Sequence, residues 1–262
     1  MVMTRPNHFF VQRGNLLVLS PRYWTDWYHN DRTGKDPARS AWGNPTKLMV
    51  EEIARVLPDL RGKQVSDMAA GDGRWSLFFA GQGAEVRHVD SSPGANHWLG
   101  ITARAMGATT SNGRYTSHRF DQSGMVTEYE ADVIDYTKGS MLEHPNKRDI
   151  VFCSGLMEYL SPQEVAWLVR VWQQQTAVGG IHVIVYLAKG TGVADIPGEH
   201  PHEAGSVESF YSKGWRMMFN ADDYRPDTHV IITPEDRVIA PDREPETHQH
   251  RIMRFIAMKT DV

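Results

Sequence analysis

Two carboxylates flanking a turn with almost no side chains are the first residues in this chain that suggest chemistry. Asp67 precedes, and Asp72 lies within, the stretch Ala69-Ala70-Gly71-Asp72-Gly73, which joins the apolar run KQVSDM to the helix-like RWSLFFAG. Such a turn bares backbone amides at a helix start, a place suited to nucleotide-bearing ligands. A dinucleotide fingerprint would put a third glycine three residues after Gly73, and Ser76 stands there instead. A phosphate-cradling loop would continue with Lys and Ser or Thr, whereas this one continues with Arg74 and Trp75. Carboxylates beside bare backbone repel a diphosphate but suit a ligand carrying an ammonium and a sulfonium. S-adenosylmethionine is such a ligand.

The turn needs a strand before it and a helix after it, and the pattern supplies both. KQVSDMAA reads as a buried strand, RWSLFFAGQG as a helix stopped by Gly81 and Gly83, and AEVRHVDSS as a second strand, together one βαβ unit. Upstream, Ser20 and Pro21 open a short aromatic helix, and Asn44 is expected to cap a helix from Pro45 to near Pro58. Downstream, SPGANHWLGITARAMG reads as a helix weakened by Gly94 and Gly100, VTEYEADVIDYT as a third strand or its end, and RDIVFCSGLM as a fourth. SPQEVAWLVRVWQQQ follows as a capped helix and GIHVIVYLAKG as a fifth strand. Two long loops are expected, Gly107 to Met125 and Gly190 to about Ser209. The tail segments GWRMMFNADDYR and HQHRIMRFIAMK lack a helix between them and read as an antiparallel pair. The fold class is therefore α/β: a Rossmann-like, mostly parallel seven-stranded sheet with helices on both faces and an antiparallel C-terminal strand pair.

The glycine turn, from Asp67 to Gly73, resembles the first motif of class I S-adenosylmethionine-dependent methyltransferases, with Ala69 where the pattern has glycine. Three further stretches resemble the family in order. The resemblance implies that Asp90, ending VRHVD beside Ser91, accepts from the ribose hydroxyls, at the roughly 20-residue spacing of a ribose acid. It implies that Asp132 accepts from the adenine amine with the Val133 amide near the ring. It also implies that Ser154 and Gly155 lie under the methionine portion, with Leu156 to Tyr159 near the transferred methyl. Ala69, Ala70, Gly71, Gly73 and Trp75 complete the expected cofactor site. The ends of the chain are similar to the tellurite-resistance and thiopurine-type members, which implies a small-molecule acceptor with an S-, Se/Te- or N-nucleophile. It also implies that residues 1–44 form a lid on a single domain whose sheet core is 45–262. Trp24, Trp27, Tyr28 and Trp42 are then candidate lid residues, facing a sulfonium by cation–π attraction or simply holding their helix to the sheet.

A sulfur or selenium nucleophile needs little proton chemistry, whereas an amine or hydroxyl needs a base, for which Glu158, Tyr159, His200, His202 and Tyr211 are the candidates. Glu199, His200, His202 and Glu203 crowd a Pro/Gly loop without a further ligand at defined spacing, so no metal is expected. His248 and His250 share a strand face and read as solvent-exposed, and Cys153 as a small buried residue. A net charge of −4, a pI near 6.3 and no basic block argue against nucleic acid. A single cysteine fits a reducing cytoplasm, and no apolar run suits a signal sequence or membrane span. A monomer or homodimer acting on a small molecule is expected. The alternatives are a non-catalytic S-adenosylmethionine-binding protein and a nicotinamide-dependent oxidoreductase.

Overall fold

The computed structural model describes residues 9–13, 16–32, 36–121, 124–143, 147–190, 199–229 and 246–260. An N-terminal hairpin, β1 (Phe10–Arg13) and β2 (Leu16–Leu19), leads into helix α1 (Pro21–Arg32). Ser20 accepts the Tyr23 amide at 3.1 Å and caps α1, as its place before Pro21 predicts. Helix α2 (Lys47–Val56) is followed by β3 (Gln64–Met68), α3 (Arg74–Gly81), β4 (Glu85–Asp90) and α4 (Pro93–Ala105). Next come β5 (Thr109–Asn112), β6 (Thr116–Arg119), β7 (Met125–Glu130), α5 (Val133–Glu143) and β8 (Arg148–Ser154). A 3-10 turn, Met157–Tyr159, precedes α6 (Pro162–Gln175) and β9 (Thr176–Ala188); a second, Glu208–Phe210, precedes β10 (Trp215–His229), and β11 (Glu246–Lys259) closes the described chain.

Nine strands form one sheet in the order β10-β11-β9-β8-β3-β4-β7-β6-β5. The five central strands pair in parallel, while β10, β11, β6 and β5 join antiparallel. The expectation of a mostly parallel, seven-stranded sheet is thus corrected to a mixed one. The difference lies in Gly107 to Met125, expected as a loop, where Thr109–Asn112 and Thr116–Arg119 pair as a hairpin that extends the sheet past β7. The predicted antiparallel C-terminal pair is present.

Helices cover both faces. On one, α5 and α6 bury Ile134, Leu168 and Trp172 against Val151, Ile184 and Phe255; on the other, α2, α3 and α4 bury Ile53, Phe79 and Leu99 against Val65, Phe152 and Val183. Full burial of one such side chain contributes about 1.5–3 kcal/mol, so each face is a substantial core. Three local expectations shift. Helix α2 begins after Thr46 rather than Asn44, leaving Pro45 outside it. Val133 starts helix α5 instead of continuing the third strand, because Asp132 Oδ1 accepts the Ile134 amide at 2.8 Å and turns the chain into the helix. His248 and His250 are buried rather than solvent-exposed, with their Nε2 atoms 2.9 Å apart. No helix among the described residues is long and apolar enough to cross a membrane.

Candidate cofactor site

The parallel strands β7, β4, β3 and β8 end along one edge, and the four segments singled out in the sequence lie there side by side. Between β3 and α3 the backbone turns through three left-handed residues, Ala69 at φ 55°, Gly71 at 59° and Gly73 at 89°. Glycine takes such angles without strain, and Ala69 is the single non-glycine among the described residues that does so. The turn is held from β4: Asp90 Oδ2 accepts the Gly71 amide at 2.8 Å, and Oδ1 accepts the Ser92 amide at 2.8 Å. Burial pushes the Asp90 carboxyl up to about 6, against those two amide bonds, which pull it down. Ala69, Ala70, Gly71, Asp90, Ser91, Asp132 and Ser154 are all partly exposed and Gly155 is exposed, so the strand ends form an open margin.

The two carboxylates that opened the sequence reading do not line that margin. Asp67 is buried and accepts the Ser76 hydroxyl at 2.7 Å; burial drives its carboxyl up to about 7. Ser76 continues the chain to His88 Nδ1 at 3.0 Å, and His88 Nε2 meets Asn96 Oδ1 at 3.1 Å. His88 is held neutral, its pKa lowered by burial to about 3. Asn96 Oδ1 can only accept, so the single His88 ring proton belongs on Nε2. Asp72 is buried under the N-terminal segment, accepting the Ser40 hydroxyl at 2.6 Å and the Ala41 amide at 2.5 Å. Ser40 was missed in the sequence, where it is one polar residue among many in a turn-rich stretch.

The aromatic segment does cover the turn. Trp27 and Trp42 stack at 4.7 Å, and Trp42 Nε1 donates to Tyr28 Oη at 3.0 Å. A Cβ on Gly71 would run into Tyr28 Oη, so the Tyr28 ring rests directly on the bare backbone. Trp24 meets Tyr159 edge-on at 6.0 Å, joining the same segment to the turn after β8. Helix α1 lies against α4 at Gly94, where a Cβ would fall 2.8 Å from the Thr25 backbone.

At the β7 end, Asp132 is engaged by Arg13 of β1 at 2.8 and 3.3 Å, and Arg13 Nε also donates to Glu164 at 2.9 Å. The pairing holds the Asp132 carboxyl below its usual range despite the opposing desolvation. Arg13 lacks any sequence signal, since its partners lie far along the chain. At the β8 end, Glu158 is buried with Oε2 lacking a partner, and burial pushes its carboxyl up to about 8. Tyr159 donates to Glu199 at 3.3 Å, and His202 and His200 lie close by: the Glu158 carbonyl accepts the His200 amide at 2.7 Å. Two further expected site residues are placed elsewhere. Trp75 is buried against Phe152 at 4.5 Å and Phe79, inside the core. Tyr211 spends its hydroxyl on His182 Nδ1 at 2.8 Å in mid-strand β9, away from the strand ends.

The fold is shared with solved structures. TehB from Haemophilus influenzae superposes with a TM-score of 0.59 at 13% identity, over 90% of this chain and 67% of that one. A protein described for the conversion of a disulfide bond into a thioacetal group during echinomycin biosynthesis gives 0.56 at 19%, over 92% and 93%. Magnesium protoporphyrin IX methyltransferase, ChlM, from Synechocystis PCC 6803 with bound SAM gives 0.54 at 14%, over 93% and 99%. The chain shares their fold. A scan against protein-family models finds no match, and a search of the curated proteins finds none either. The resemblance drawn from the glycine turn thus holds at the level of architecture.

Proposed function

We propose that the protein is an S-adenosylmethionine-dependent methyltransferase acting on a small molecule. The observation that carries this reading is the Asp90–Gly71 contact: a strand-end carboxylate reaches the bare turn and retains acceptor capacity. Each of its oxygens accepts one amide, and a carboxylate oxygen can accept twice, which suits the two hydroxyls of a ribose. Support at the level of fold comes from neighbours such as ChlM, which was crystallised with SAM.

In this reading the cofactor supplies an electrophilic methyl on a sulfonium, and the chain does the rest. Asp90 holds the ribose with Ser91 beside it, Asp132 and the Val133 amide meet the adenine, and Ser154 and Gly155 underlie the methionine portion. Asp67 and Asp72 act at one remove, by fixing the turn and its cover. The described part of residues 1–44 forms the lid of one domain, with Trp24, Trp27, Tyr28 and Trp42 excluding water and facing the cation. Methyl transfer then requires in-line alignment of the acceptor.

Titration of S-adenosylmethionine and of NAD into the protein, followed by incubation with methyl-labelled cofactor and a panel of small acceptors, tests the proposal. Saturable binding of the sulfonium and a labelled product are expected. Binding of NAD alone would favour an oxidoreductase, and cofactor binding with no product across the panel would favour a binding protein.

A further inference from the structure

A cleft of about 570 Å³ at the carboxyl end of β9 is not used by the cofactor residues above. Leu16, Leu160, Val165 and Phe210 give it an apolar wall, and Lys189, Glu199, His200, His202, Glu203 and Ser206 supply its polar side chains. The loop that bears them is anchored at both sides. The Lys189 amide donates to the His202 carbonyl at 2.8 Å, and the His200 amide to the Glu158 carbonyl at 2.7 Å, beside the turn that ends β8. The cleft therefore adjoins the strand-end margin and is preformed by backbone bonds.

Most of its polar side chains can accept, and Ser206 adds a buried hydroxyl that can both donate and accept. His202 Nε2 lies 2.7 Å from the Met157 carbonyl and His200 Nε2 lies 2.9 Å from the Leu17 carbonyl. A carbonyl can only accept, so each Nε2 carries a proton, and a neutral His202 leaves Nδ1 with a lone pair. Burial lowers the His202 pKa and keeps that ring neutral at pH 7. The Lys189 ammonium is paired with Glu203 at 2.8 Å. Among the described lining residues, two carboxylates and the His202 imidazole thus face one ammonium that is already paired, with the Ser206 hydroxyl beside them. A carboxylate or phosphate ligand would meet net negative charge, and a thioether or other ligand without donor groups would make no hydrogen bond to these acceptors.

We propose that this cleft takes a small apolar amine and that the amine nitrogen is the methyl acceptor. The inference rests on the methyltransferase reading and names its substrate class. The amine enters as an ammonium, donating to the cleft's acceptors with its apolar body against Leu160 and Val165. One N–H proton passes to His202 Nδ1. The freed lone pair forms the N–C bond as the C–S bond of the sulfonium breaks and leaves its electron pair on sulfur. The imidazolium then returns the proton to water, and the methylated ammonium departs.

Calorimetry on the full chain with three probes of one shape, benzylamine, benzyl alcohol and benzoate, tests the cleft. Benzylamine is expected to bind about tenfold or more tighter than benzyl alcohol, and benzoate more weakly than either. In Glu203→Gln, which leaves Lys189 unpaired, benzylamine weakens several-fold and benzoate strengthens. Nitrogen NMR of labelled histidines is expected to show benzylamine shifting the Nδ1 signals of His200 and His202. Equal affinity for the three probes, binding of none, or shifts absent from both histidines would overturn the assignment. S-adenosylmethionine titrated into the same samples reports on the cofactor reading separately, and Glu203→Gln is expected to bind it like the wild type. Amine binding without cofactor binding would overturn the methyl-acceptor role, along with the methyltransferase reading on which it rests.

Discussion

Arg13 and Asp132, brought together from β1 and the end of β7, share a two-pronged ion pair at 2.8 and 3.3 Å. The same guanidinium reaches Glu164, which with Ser161 forms the capping box of α6. One side chain therefore ties the N-terminal hairpin to the starts of two helices. Both members of the main pair are partly in water, which limits its worth to about 1 kcal/mol. Arg13→Ala is expected to lower the midpoint of unfolding slightly and to speed amide hydrogen exchange in Phe10–Leu19 well beyond that global loss. Unchanged exchange in the hairpin would show that its position does not depend on this tie.

Asp90 gives a prediction with a pH signature. In its ionised form the carboxylate accepts from Gly71 and Ser92 and still has room for two hydroxyls, whereas protonation turns one acceptor into a donor. Its carboxyl is raised to about 6 by burial, so cofactor affinity is expected to fall as pH drops through about 6 and to level off above about 7. Asp90→Asn keeps the shape but sets an amide NH₂ against a backbone N–H, and it should weaken binding by about 2–3 kcal/mol. Calorimetry between about pH 5 and pH 8 reads both effects. A flat profile in the wild type would remove Asp90 from the binding role.

The βαβ unit around this site was legible because each step has a local cause. Val65 and Met68 give a buried strand, Gly71 and Gly73 the turn, Gly81 and Gly83 the helix stop, and Asp90 the strand end. The β5–β6 hairpin was not, because Thr109–Asn112 is polar and exposed at all four residues and so carries no apolar alternation. Site residues follow the same division. Asp90 and Gly71 lie 19 positions apart in one unit and were legible together. Arg13 meets partners 119 and 151 positions away, and Tyr211 is claimed by His182, 29 positions earlier, in the core. Their fates are decided by tertiary packing, which periodicity does not encode.

Ala69 occupies a left-handed backbone angle that glycine takes without strain. At φ 55° its Cβ crowds the backbone, which costs roughly 1–2 kcal/mol, while a glycine there loses about 0.5–1 kcal/mol more entropy on folding. Ala69→Gly is therefore expected to stabilise the protein by about 0.5–1 kcal/mol, a rise of about 1–4 °C in Tm. Cofactor affinity should stay within about twofold, since no side-chain donor is lost. A lower Tm would mean that the alanine methyl makes a packing contact that outweighs its strain.

Glu158 provides the opposite case, a buried carboxyl whose charge is costly. Burial raises it to about 8, and its Oε2 has no partner. Below about pH 4.5 both folded and unfolded chains hold this proton, and the group contributes no pH dependence. Between about 4.5 and 8 the folded state keeps the proton that the unfolded state releases, so stability declines as pH rises through that window. Glu158→Gln removes the ionisation while preserving the shape. The variant should match the wild type near pH 5 and exceed it near pH 8 by on the order of 1–3 kcal/mol, as measured by denaturant unfolding at the two pH values. A constant difference between the curves would show that Glu158 ionises freely in the folded protein, with water or a partner reaching its carboxyl.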